Sequence, residues 1–195
     1  MDSSSAPGPD GITPKFLKTY SEELADSLCA LGKRSLESGE PLYEYYLAYI
    51  TPIFKSGDKS EAVNYRPVSL MNHITKRRER IIRKHITQYL AQNQLLNETQ
   101  HGFRKSRSTL TNLIEYYESV LLQLEHSKFV DSIYLDFSKA FDKCDHGIIL
   151  QKLAKLGIQG NLRWIECFLR RRKQCVVIDG HKSETVWVIS GVPQG

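Results

Sequence analysis

The stretch Ile133-Tyr-Leu-Asp-Phe-Ser-Lys-Ala-Phe-Asp-Lys-Cys-Asp-His146 decides how the rest of the chain is read. An apolar run from Phe129 delivers a single carboxylate, Asp136, and the sequence then changes to helix-forming residues. The run predicts a strand over 129–136, apolar enough to be central in a sheet. A carboxylate at the end of such a strand is aimed from a rigid support. Taken alone, Asp136 or Ser138 reads better as the N-cap of a helix beginning near Lys139, because Asp and Ser are favoured there.

Working outward, turn chemistry fills residues 6–11 (APGPDG), and Thr13-Pro14 predicts the start of a helix over about 14–37, stopped by Gly39 and Pro41. Residues 46–54 and 66–71 read as two strands of a hairpin joined by the polar loop KSGDKSEAVN. A basic helix is predicted over 73–92 and another from Ser108 or Thr109 to about Ser127. The second carries Leu110, Leu113, Ile114, Tyr117, Leu121 and Leu124 as its apolar face. Two shorter helices, near 146–156 and 160–171, precede a hairpin of 174–179 and 185–190 around Asp179-Gly180. The expected fold class is α+β, a small antiparallel sheet packed with helices.

The chain has 195 residues, 41% hydrophobic and 25% charged, with net charge +5, which points to a globular protein with a mild preference for polyanions. Cys29, Cys144, Cys167 and Cys175 lack disulfide or zinc spacing and read as reduced thiols. No apolar run approaches membrane-spanning length, so a soluble intracellular protein, nuclear or cytoplasmic, is expected. The ending Ser190-Gly-Val-Pro-Gln-Gly195, directly after a strand-like run, reads as a fragment's end.

Five blocks stand in order along the chain: APGPDGI (6–12), TPIFKSGDKSEAVNYRPVSL (51–70), QHGFRKSRST (100–109), YLDFSKAFDKCDH (134–146) and GVPQG (191–195). Together they resemble the successive motifs of reverse transcriptases from non-LTR (LINE-type) retrotransposons. The resemblance implies a right-hand polymerase fold, with residues 1–128 as the fingers-like part and 129–195 as a partial palm. It implies RNA-directed DNA polymerisation with an RNA template, a DNA primer and dNTPs, by a chain expected to act as a monomer without a membrane. It also implies two Mg2+ ions, about 3.5–4 Å apart in such chemistry.

By resemblance, Asp136 is the first catalytic, metal-binding aspartate, with the backbone carbonyl of Phe137 beside it. Phe141 matches the bulky aromatic under the sugar that excludes a 2′-hydroxyl; its plainer reading is a core aromatic on a helix face. Lys139 and Ala140 flank it at the nucleotide. Lys55 and Arg66 match the residues that grip the triphosphate, for which the planar fork of Arg is suited. Gln194 matches the glutamine near nucleotide and template base, with Gly191 and Gly195 supplying the turn. Gly102, Arg104, Lys105 and Arg107 match the template-facing block, with Ser106 and Ser108 available as helix caps. Asp142 reads as a structural partner or cap, and Lys59 as solvated.

Some features depart from the family. Arg77 and Arg78 stand where apolar residues are usual, which predicts weaker packing of that helix. The basic cluster of Lys76, Arg77, Arg78, Arg80, Arg83 and Lys84 reads at least as well as a solvated face as a nucleic-acid groove. Arg170, Arg171, Arg172 and Lys173 read as cations complementing a helix C-terminus. The family's later Asp-Asp hairpin has no counterpart, since the sequence contains no Asp-Asp pair. The expectation is therefore a fragment that does not polymerise alone. The alternatives are a non-catalytic nucleic-acid-binding remnant of a decayed element and a helical domain that binds nothing.

Overall fold

A computed structural model describes residues 5–126, 129–160 and 162–194, apart from the side chain of residue 44. Its residues fall into two compact units, 1–86 with 139–195 and 87–138, a division that differs from the one read at 128/129.

The first unit is organised by one strand. β1 (Leu47–Phe54) pairs antiparallel with β2 (Tyr65–Leu70) along one edge, from Tyr49 opposite Leu70 to Phe54 opposite Tyr65. Its other edge pairs in parallel with β3 (Lys173–Ile178), Leu47 standing opposite Lys173 and Ile50 opposite Val176. The sheet is therefore mixed, which corrects the expectation of a purely antiparallel one. A parallel neighbour cannot come from a hairpin, only from a distant segment, and local patterning does not reveal it. β3 turns through Asp179 (φ 49°) and Gly180 (φ 82°) into β4 (His181–Lys182), as the Asp-Gly pair predicts, and also pairs with β5 (Val186–Trp187).

Helices close one face of this sheet. The predicted N-terminal helix is two, α1 (Pro14–Thr19) and α2 (Ser21–Ser38), with Tyr20 between them at φ −103°, ψ 31°. Thr13 caps the first by accepting from the N–H of Phe16, and Gly39 in the left-handed region ends the second. α3 (His73–Gln92) carries Ile82 into a core with Ala48 and Met71, completed by Trp164, Phe168 and Leu169 of α6 (Leu162–Arg170). The Trp164 and Phe168 rings stack at 5.3 Å. Trp164 Nε1 donates to Ser35 Oγ at 3.0 Å, and Ser35 Oγ donates in turn to the Glu40 carbonyl, so this indole is satisfied as well as packed. α5 (His146–Lys155) is capped by Asp145, whose side chain accepts from the N–H of Ile148.

The 6–12 block docks on the start of α3. Asp10 N–H donates to Asn72 Oδ1 and His73 Nε2 lies 3.0 Å from the Ala6 carbonyl. A Cβ at Gly8 would stand 2.7 Å from the Asn72 backbone, so only glycine permits this approach. Arg78 is buried yet packed: its guanidinium lies 5.4 Å over the Tyr45 ring, beside Gly32. The helix thus keeps its packing at a position where a cation replaces an expected apolar side chain. Arg77, Arg80, Arg83 and Lys84 are exposed, in keeping with a solvated face.

The second unit holds the end of α3, α4 (Thr109–Glu125) and two connecting segments. α4 forms where the sequence predicts it, yet none of its residues is buried, and Leu110, Leu113 and Tyr117 are each about 60% exposed or more. The predicted strand at 129–136 is not a strand. It has no regular secondary structure and pairs with no strand among the described residues, with Ile133, Tyr134 and Leu135 more than 80% exposed. Its apolar pattern is real, but a strand needs a neighbour, and no strand pairs with this segment among the described residues. The second unit supplies no strand among the described residues.

Two measurements test the packing of the first unit. Trp164→Ala lowers unfolding stability in urea by about 3–5 kcal/mol, as large-to-small changes in a closed core do. Glu79 on α3 is half-buried, and burial lifts its carboxyl from 4.5 to about 7 despite the attraction of Arg172, itself lowered by burial to about 10. A raised acid favours the folded state while protonated, so its contribution is present below about 4.5 and is lost as pH rises through 7. Stability falls over that window by on the order of 3 kcal/mol from this group, and Glu79→Gln flattens the profile when unfolding is followed from pH 4.5 to 8.

Candidate nucleotide and nucleic-acid site

Three of the five sequence blocks meet in the first unit. After Lys139, held at φ 54°, the chain makes a turn in which Asp142 N–H and Lys143 N–H both donate to the Lys139 carbonyl. The GVPQG block lies directly on that turn. Gly191 N–H donates to the Cys144 carbonyl at 2.8 Å, Val192 N–H to the Phe141 carbonyl at 2.9 Å, and Ser190 Oγ to the Asp142 carbonyl at 3.0 Å. Buried His146 closes the staple, its Nε2 lying 2.8 Å from the Gly191 carbonyl. Gly191 is required twice over. Its φ is +82°, and a Cβ there would stand 2.7 Å from the Asp142 carbonyl oxygen.

Gln194 is tied from the other side, where Ser69 N–H of β2 donates to its carbonyl at 2.6 Å. A cavity of about 250 Å³ opens at this junction, lined in part by Ser69, Asp142, Arg172, Gln174 and Gln194. Arg172 is only 3% exposed, and its Nη1 has no hydrogen-bond partner among the described residues. Sequence reading took Arg172 as a cation at a helix end, whereas it sits one residue before β3 and is buried beside Gln194. His146 was not singled out either. Two basic side chains that the fold buries have no local periodic signature, so nothing in the sequence separated them from their solvated neighbours.

Lys55 and Arg66 stand at the far end of the same hairpin, both exposed. Lys55 N–H donates to the Asn64 carbonyl, extending the ladder, and Arg66 is the register partner of Ile53. The loop between them is fixed by Asp58, which accepts from the N–H and Oγ of Ser60, and by Asn64 Nδ2 donating to the Asp58 carbonyl. Lys59, read as solvated, lies 5.6 Å over the Phe54 ring. Phe141 is 44% exposed. Asp142 caps nothing; its carbonyl receives the Ser190 hydroxyl, a structural partnership.

The remaining predicted residues lie in the second unit. The 100–109 block forms a loop before α4, where Ser108 is the N-cap and Thr111 completes a capping box. His101, 6% exposed, lies 2.7 Å from Glu115 Oε2 and 2.8 Å from Thr111 Oγ1, clamping the loop to the helix. Arg107 Nη1 pairs with the same Glu115 at 3.3 Å, and Arg104 Nη1 donates to the Asn97 carbonyl at 2.7 Å. Two of the three cations thus help hold the loop, while Lys105 is exposed at its tip. Gly102 stands in open space, with no atom within 4 Å of a built Cβ.

Asp136 and Phe137 are exposed on the irregular 129–137 segment. That segment is tethered to α4 through Tyr116, which is hydrogen-bonded to Ser132 and Tyr134. Asp136 caps no helix, since the following residues form turns rather than a helix. No group of three or more His, Cys, Asp or Glu side chains among the described residues is placed to hold a metal ion. Magnesium needs near-octahedral oxygen ligation; one exposed carboxylate and a neighbouring carbonyl do not supply it. Gly195, expected to complete the turn with Gly191, lies outside the described residues. The four cysteines are unpaired, and no helix among the described residues is long and apolar enough to cross a membrane.

The meeting of β2, the 139–146 turn and GVPQG is matched by what the chain resembles in whole. Residues 54–195 match the family model described as reverse transcriptase (RNA-dependent DNA polymerase). Over 191 residues, 97% of the chain, it is 29% identical to the "RNA-directed DNA polymerase from mobile element jockey" of Drosophila funebris, spanning 21% of that protein. It is 26% identical over 153 residues, 78% of the chain, to the "Probable RNA-directed DNA polymerase from transposon BS" of Drosophila melanogaster, spanning 17% of it. Against the "Retrovirus-related Pol polyprotein from type-1 retrotransposable element R2" of Popillia japonica, identity is 26% over 98% of the chain and 26% of the relative. The chain thus spans about a quarter or less of these relatives, and the expected lineage of non-LTR retrotransposon polymerases is borne out. By the match over residues 54–195, the chain belongs to the reverse transcriptase (RNA-dependent DNA polymerase) family.

Proposed function

We propose that the first unit carries the nucleotide-facing part of an RNA-directed DNA polymerase, in which template-directed nucleotidyl transfer takes place within a longer polypeptide. The observation that carries this reading is the stapling of Gln194 between β2 and the 139–146 turn, by Ser69 N–H on one side and the Gly191 and Val192 amides on the other. It brings Gln194 and Phe141 into one structure, built on the hairpin that presents Lys55 and Arg66.

Each residue has a role suited to its chemistry. Arg66, with a planar fork, pairs two phosphate oxygens of an incoming dNTP, and Lys55 adds a point charge. Gln194 contacts the nucleotide and template base, while the Phe141 ring lies under the sugar, with Lys139 and Ala140 as its neighbours. Gly102, Arg104, Lys105 and Arg107 form the template loop, in which Lys105 makes the phosphate contact and the two arginines hold the loop's shape. In the longer protein Asp136 supplies one carboxylate, and Phe137 its carbonyl, to a two-magnesium centre that supplies the Lewis-acid chemistry. In the right-hand description, residues 1–128 are fingers-like and the remainder is part of the palm. RNA template, DNA primer and dNTP are the partners, and the isolated chain is an inactive monomer.

A second reading is a nucleic-acid-binding remnant without catalysis; among the described residues no group of three or more metal-ligating side chains is assembled. Primer extension with an RNA template, DNA primer, dNTPs and magnesium tests the activity of the chain. No extension is expected from these 195 residues; extension that is abolished by Asp136→Asn would overturn the assignment of inactivity. Binding to a primed template is expected to weaken with salt, and Lys105→Gln to reduce the log–log slope by about one. An unchanged slope would remove Lys105 from the template contact.

A further inference from the structure

The two faces of the sheet are used differently. Ala48 and its helix partners fill the core on one face. The alternate residues point the other way: Leu47 and Tyr49 of β1, with Lys173 opposite Leu47 and Trp187 opposite Lys173. These side chains stay at least partly exposed, Trp187 at 59%. Each aromatic on this face carries a cation. Lys173 Nζ lies 4.3 Å over the Trp187 ring, and Lys182 Nζ lies 4.5 Å over the Tyr49 ring and donates to its hydroxyl at 2.6 Å. Neither lysine has a carboxylate within salt-bridge distance among the described residues.

Beside Lys173 and Trp187 a cavity of about 580 Å³ opens, whose further lining includes Asp10, Tyr43, Tyr46 and Arg171. Tyr43 is 80% exposed at its mouth. Asp10 is the acidic residue in its lining, and Arg171 of the lining is paired with Glu40 at 3.6 Å. By strand alternation, Arg66, the register partner of Ile53, belongs to this same face, whereas Ser69, which holds Gln194, belongs to the other.

We propose that this open sheet face, with Tyr43, Tyr49, Lys173, Lys182 and Trp187 as its contacts, is a binding site for unpaired nucleotides of a single-stranded nucleic acid. Aromatic rings interleaved with cations on an exposed surface are what stacked bases and a phosphate backbone require. The cavity borders flat rings, and Lys173 and Lys182, set against Asp10, leave the sheet face as a whole net positive. The choice of nucleic acid as occupant rests on the family assignment, but the site does not depend on polymerase activity. Stacking and phosphate contacts ignore the 2′-hydroxyl, so RNA and DNA are both accepted.

The chain's two tryptophans make the test direct, because Trp164 is buried and Trp187 is exposed. Titration of the 195-residue chain with uridine and thymidine dodecamers is expected to quench the exposed fluorophore with both, and the affinity to fall with salt. Trp187→Ala is expected to weaken binding about tenfold, as loss of one base-stacking contact does, and Lys182→Gln to weaken it with Trp187 intact. Far-UV circular dichroism and Trp164 emission show that the variants are folded. Binding detected by anisotropy without quenching, or equal affinity for wild type and both variants, would overturn the proposal. So would quenching by polyglutamate but not by either dodecamer. Failure here leaves the polymerase reading standing, since that is tested by primer extension and by Lys105→Gln.

Discussion

Everything in the first unit depends on β1 being paired along both edges. Its antiparallel edge sets the position of the hairpin loop that presents Lys55 and Arg66. Its parallel edge fixes β3, and through β3 the segment that ends in GVPQG. A parallel ladder needs a long crossover, and here the intervening chain includes α5, α6 and the motif turn. One small residue lies at the centre of this arrangement: Ala48, 2% exposed, lets Trp164 and Phe168 of α6 approach the sheet. Core packing and site geometry are therefore one constraint seen from two sides of a strand.

The turn that follows Asp136 shows how backbone alone can build a site. Its links through the Gly191 and Val192 amides are made by the main chain alone, which holds position with little dependence on side-chain identity. The Ser190 hydroxyl on the Asp142 carbonyl and the His146 ring at the Gly191 carbonyl add side-chain links, and glycine is required at 191, where a side chain would collide. Backbone hydrogen bonds thus fix much of the position of this junction.

Much of this was legible from the sequence because the relevant signals are local. Thr13, Ser108 and Asp145 or its neighbours mark helix starts by chemistry confined to three or four residues, and Asp179-Gly180 marks its turn for the same reason. What was not legible depends on distant partners. The parallel pairing of β1 with β3 joins segments more than a hundred residues apart, and the burial of Arg78 and Arg172 follows from surfaces that no window of sequence contains. The 129–136 run is the clearest case. Val130, Ile133, Tyr134 and Leu135 have the composition of a central strand, and composition states a preference that only a neighbouring strand can satisfy.

That unsatisfied preference has a consequence for the life of the chain outside chemistry. From Phe129 to Phe137 the chain forms no ladder among the described residues and carries exposed aromatic and aliphatic side chains, next to a helix with none of its residues buried. Such a segment is a template for strand addition by any chain that meets it, including another copy. Asp131 and Asp136 are its only charges, and they act as gatekeepers against that pairing.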